Sequence, residues 1–129
     1  MDHFLIDTNF FISLNQISPN LWLNKLNAIK DENEGIQFHL SGQILGEMPF
    51  LRGDEKKFFT SIVNIDKVTE SDLVGLKGDL GEKNPAQDPD LTLLFLADKY
   101  TQKGTAWLVS DDFKLVQNTQ KLNKDIRIL

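Results

Sequence analysis

Five short apolar runs, separated by stretches of helical period, leave this chain few architectures to choose from. The runs are His3–Asp7 (HFLID), Ile36–Leu40 (IQFHL, after Gly35), Ser61–Asp66 (SIVNID), Ala106–Ser110 (AWLVS, after Gly104) and Ile126–Leu129 (IRIL). Each has the length of a buried strand. Between them lie helical patterns. Asn20–Glu34 sets Leu21, Leu23, Leu26 and Ile29 near one face, with Pro19 in the start region. Ser41–Phe59 offers Ser41 as an N-cap, and Pro49 should kink it or split it into two helices. Thr69–Leu80 opens on a cap signal and ends among glycines, which predicts a short helix. Asp88–Gly104 is delimited by Asp88 as N-cap, Pro89 at the first helical position and Gly104 as the stop. Asp111–Leu122 follows the fourth run directly. Strand alternating with helix is the signature of an α/β domain with a mostly parallel sheet.

At 129 residues, with no internal repeat and no Ser/Gly/Pro-rich linker, residues 1–129 are expected to form a single domain. The chain contains no cysteine, which excludes disulfides, thiolate catalysis and zinc ribbons. No apolar run reaches the length of a membrane span, and no basic-then-apolar leader opens the chain, so a soluble, cytoplasmic protein without a membrane partner is expected. The net charge of −5 opposes non-specific binding to nucleic acid, which is driven by phosphate neutralisation. A cation held among carboxylates would reverse that sign locally.

Parallel sheets gather ligands beyond the carboxyl ends of their strands. Asp7 ends the first strand, and Asp111 and Asp112 follow the fourth. Asp90 lies in the first turn of the long helix, and Glu47 lies within the helix after the second strand. Taken singly, each acid has a structural explanation. Asp7 could cap a turn, Asp88, Asp90, Asp111 and Asp112 suit helix N-termini, and Glu47 suits a solvated helix face. Taken jointly, they can meet at one sheet edge. Clustered anions raise one another's pKa, and a hard divalent cation relieves them. With no cysteine and only His3 and His39, the supply favours an all-oxygen magnesium or manganese site over a zinc site. His3 and His39 are expected to be packed or surface residues. The pairs Phe10–Phe11 and Phe58–Phe59 are expected in the core, Trp22 and Trp107 in the core or an interface, and Arg52, Lys56 and Lys57 on a solvated face.

Four segments resemble the PIN-domain ribonucleases. They are LIDTNFFI (Leu5–Ile12), ILGEM (Ile44–Met48), DLTLLFLA (Asp90–Ala97) and LVSDDFKL (Leu108–Leu115), in the family's order and spacing. The resemblance implies a compact three-layer α/β/α sandwich around a mostly parallel five-stranded sheet. It also implies an acidic tetrad of Asp7, Glu47, Asp90 and Asp112. Asp7, Asp90 and Asp112 would ligate Mg2+ or Mn2+, and Glu47 would bind metal or orient the attacking water. Thr8, Asn9 and Ser110 would position the loops, with Asp111 as a possible fifth acid. The implied reaction is metal-dependent endonucleolytic hydrolysis of RNA, leaving a 5′-phosphate. Two branches of the family are open. One is the toxin of a toxin–antitoxin pair, partnered by an antitoxin and often a homodimer. The other is a ribosomal-RNA-processing nuclease with a ribosome-associated partner. A degenerate PIN-like scaffold that binds RNA or protein is the alternative from a different class. A haloacid-dehalogenase-like phosphatase would want an acid where Asn9 stands, and a phosphoacceptor receiver would want a lysine after the fifth strand.

Overall fold

A computed structural model describes residues 1–19, 21–81 and 88–129. The strands are β1 (Asp2–Ile6), β2 (Ile36–Ser41), β3 (Asn64–Asp66), β4 (Thr105–Val109) and β5 (Arg127–Ile128). The helices are α1 (Thr8–Ile17), α2 (Trp22–Glu32), α3 (Gly42–Gly46), α4 (Gly53–Ile62), α5 (Glu70–Leu80), α6 (Asp88–Tyr100) and α7 (Phe113–Leu122). All strand pairs are parallel, in the order β3-β2-β1-β4-β5. The order reverses direction between β1 and β4. Because parallel crossovers are right-handed, α2 and α4 cover one face and the helices after β3 cover the other, while the short α3 meets α6. Packing of α2 on α4, and of α6 on α5 and α7, agrees with that division. The result is the expected three-layer α/β sandwich, with a crevice at the β1/β4 switch point.

The central helix is α6, which touches β1, β2 and β4. Leu91, Leu93, Leu94, Leu96 and Ala97 are buried on it, so this helix is apolar on more than one face, as a helix enclosed by sheet and helices must be. Its expected cap, Asp88, has a side chain that lies outside the described residues. The turn after α6 brings Gly104 against the start of β1. A Cβ there would stand 2.2 Å from the Met1 carbonyl oxygen, which accepts a hydrogen bond from the Thr105 N–H. Only glycine fits this approach.

Three expectations need correction. Pro49 does split the segment after β2, but Glu47 is not within a helix. It is the residue after α3, with helical bonding ended by Gly46 and by the bar that Pro49 sets on the residue before it. Ser61 and Ile62 belong to α4 rather than to the third strand, which is only Asn64–Asp66. Phe10 is 41% exposed, while its neighbour Phe11 is fully buried. Ser41 caps α3 as expected, accepting from the Ile44 N–H, and Thr69 forms a reciprocal capping box with Asp72.

Candidate functional site

The β1/β4 crevice is built from backbone first. The Asp7 N–H donates to the Val109 carbonyl at 3.0 Å, so the β1–β4 ladder runs one residue past each strand and fixes where Asp7 stands. Asp7 is buried and precedes α1, and its carboxylate accepts from the Ser110 hydroxyl at 2.8 Å. The same hydroxyl accepts from the Asp112 N–H at 3.1 Å. Ser110 therefore joins the loop after β4 to the carboxylate after β1. Asp112 caps α7, with one oxygen accepting from the Leu115 N–H at 3.1 Å.

Asp90 reaches the same edge from the first turn of α6, half-buried, and Glu47 reaches it from the exposed end of α3. A buried hydroxyl pair ties these two segments together. Ser41 and Thr92 meet at 2.6 Å, and Thr92 also donates to the Pro89 carbonyl at 2.5 Å. With that proton committed, Ser41 must donate to Thr92. Thr92 was not singled out from the sequence, because its partner is 51 residues away and nothing local marks the contact.

The electrostatics show which acids act on one another. The Asp90 carboxyl is pushed up to about 6, first by burial and then by the charges of Asp7, Asp112 and Glu47. Burial also raises Asp7. The Ser110 hydroxyl and the Thr8 and Asn9 N–H groups at the start of α1 oppose this, and the Asp112 charge adds to it. The Glu47 carboxyl is raised by burial and by the Asp7 charge. The charges that act on Glu47 and Asp90 are carboxylates alone. The four acids thus form one electrostatic group, and no lysine or arginine among the described residues pairs with any of them.

Close approach is a separate matter. Among the described residues, no three His, Asp or Glu side chains stand together closely enough to enclose a metal ion. Mutual repulsion opposes closer approach, and the hydrogen bonds of Asp7 to Ser110 and of Asp112 to the cap of α7 fix where those two carboxylates stand.

Of the auxiliary residues, Thr8 is buried, and its hydroxyl has no partner among the described residues. Asn9 and Asp111 are exposed. Asp7, Asn9, Ser110 and Asp111 line a cavity of about 460 Å³ together with mainly apolar residues that include Phe4, Ile6 and Phe10. Compared with models of known protein families, the chain matches none. Comparison with curated protein sequences also finds no match.

Proposed function

We propose that this chain is a divalent-metal-dependent endoribonuclease whose reacting centre is the carboxylate group of Asp7, Glu47, Asp90 and Asp112. The observation that carries the reading is electrostatic: the Asp90 carboxyl is held near 6 by burial and by three other carboxylates from three other segments. A half-buried set of acids, with no cationic side chain among the described residues to balance it, suits a hard cation by its chemistry. The four-segment resemblance to PIN-domain ribonucleases assigns the same residues.

In this reading Asp7, Asp90 and Asp112 hold Mg2+ or Mn2+. When bound, such an ion polarises the scissile phosphate and lowers the pKa of a coordinated water. Binding requires the four carboxylates to draw together from their present spacing, and the exposed Glu47 has the most freedom to move. The half-charged state of Asp90 near pH 6 makes it the acid whose ionisation gates the site. Ser110 keeps the Asp7 carboxylate ionised and oriented by donating to it. Glu47, with its raised pKa, orients water and takes up its proton.

The test is cleavage of single-stranded and structured RNA in magnesium or manganese, comparing the wild type with Asp7→Asn. Cleavage by the wild type that is abolished by chelator and by the substitution is expected. Equal cleavage by both proteins would overturn the reading. RNA binding without cleavage under any metal would return the chain to a binding scaffold.

A further inference from the structure

On the sheet face covered by α6, away from the acidic edge, two histidines meet in the core. His3 Nδ1 and His39 Nε2 are 2.9 Å apart, and both residues are buried. The other nitrogen of His39 faces Asp66 at 3.3 Å. The Lys103 backbone carbonyl approaches the His3 ring as an acceptor. Neither outer nitrogen closes a hydrogen bond of ordinary geometry. The His39 ring stacks on Tyr100 at 3.9 Å, and the Tyr100 hydroxyl donates to both oxygens of Asp66 at 3.1–3.2 Å. A polar cavity of about 570 Å³ is lined in part by these residues.

The proton count of this chain of contacts does not close. Asp66 as a carboxylate and the Lys103 carbonyl are acceptors only, so each end requires an N–H. The contact between the two rings requires one more. Two neutral imidazoles carry two N–H protons, whereas three contacts require three. One contact is therefore always unmet, at a cost typical of a buried unpaired polar group. The shortfall leaves one of the two outer ring nitrogens without a proton, and neither of them has a hydrogen-bond partner among the described residues.

We propose that His3 and His39 form a single proton-binding site, in which one added proton completes a hydrogen-bonded chain from Asp66 on β3, through β2 and β1, to the turn after α6. A second proton would place two cations side by side and is excluded. The site is an acid-sensing latch between the short edge strand and the end of the central helix.

The groups facing the pair set its range. Asp66 favours the proton. Lys103, the chain-terminal amine and burial oppose it, while Asp2 favours it weakly. Tyr100, itself pushed up to about 12, stays neutral and serves only as a donor, with Lys99 and Lys103 lying over its ring. Burial dominates: His3 is lowered, and His39 is lowered to about 4. The pair is therefore neutral at neutral pH and loads in acid.

The experiment follows the imidazole nitrogens of the whole chain by nuclear magnetic resonance from about pH 7.5 down to about pH 3. The two rings are expected to shift together, with one common midpoint below the ordinary histidine value and one proton taken up between them. Asp66→Asn keeps a partner for the Tyr100 hydroxyl and should move the midpoint lower. Lys103→Gln, at an exposed position, keeps the backbone carbonyl and should move it higher. Independent titration of the two rings near 6.5 would overturn the proposal. So would a midpoint unmoved by Lys103→Gln.

Discussion

Replacing Asp90 with Asn is expected to stabilise the fold while removing the function. The Asp90 carboxyl is raised from 3.8 to about 6 in the folded chain. Each unit is about 1.4 kcal/mol of differential interaction, and solvent screening of a half-buried group reduces the sum, so keeping Asp90 ionised costs the fold about 1–2 kcal/mol. The sign follows from linkage. Between about pH 4 and about pH 6 the folded state binds more protons than the unfolded state, so stability falls as pH rises through that window. Above it the full cost is present, and below it the cost vanishes. Asn carries no charge at any pH and removes the cost. It also forfeits the attraction of an anion to the start of α6, worth about 0.3–1 kcal/mol. The net gain at about pH 7.5 is therefore about 1 kcal/mol, shrinking to nothing near pH 4. Urea unfolding of both proteins at the two pH values measures it, read as the difference between them. That difference matters because burial of His39, lowered to about 4, gives the wild type an opposing slope over an overlapping range. A variant less stable than the wild type at about pH 7.5, or a gain that persists unchanged near pH 4, would refute the reasoning.

Three further substitutions probe the scaffold of the site. Ser110→Ala removes the donor to Asp7, which should raise the Asp7 carboxyl further, shift the pH profile of RNA cleavage upward and slow cleavage about tenfold at neutral pH, measured under single turnover. Thr92→Val leaves Ser41 and the Pro89 carbonyl without their partner and should cost about 1–3 kcal/mol in urea unfolding. Gly104→Ala drives a methyl group into the Met1 carbonyl and should cost about 1–3 kcal/mol, seen as a lowered thermal midpoint with β1–β4 amide protection reduced first.

Much of this was legible because it is local. Apolar runs of strand length and capped helical segments define α/β alternation wherever they occur, and Asp7 and Asp112 announce themselves by following strands. What escaped depends partly on local stops and partly on partners far away in the chain. Glu47 was expected inside a helix, because a run from Ser41 to Phe59 carries helical spacing, yet Gly46 and Pro49 together stop the helix before it. The third strand was drawn too long because Ile62 and Val63 are apolar in either setting, and packing of α4 decides for Ile62. Phe10 was expected in the core beside Phe11, but α1 turns only one of two adjacent residues inward, and Phe10 is left on the cavity wall. The His3–His39 contact arises from the register of β1 on β2, in which His39 lies beside Leu5 rather than His3, and no sequence pattern encodes that diagonal.

The central claim is that Asp7, Glu47, Asp90 and Asp112 act as one site for a divalent cation. Calorimetric titration of the whole chain with manganese at about pH 6, where Asp90 is half-protonated, tests it most directly, with Asp7→Asn and Asp90→Asn run alongside. The wild type is expected to bind manganese with release of protons, because acids with raised pKa values must ionise fully to ligate it, and each substitution should weaken binding at least about tenfold. Absence of binding by the wild type, or equal affinity in all three proteins, would contradict the claim.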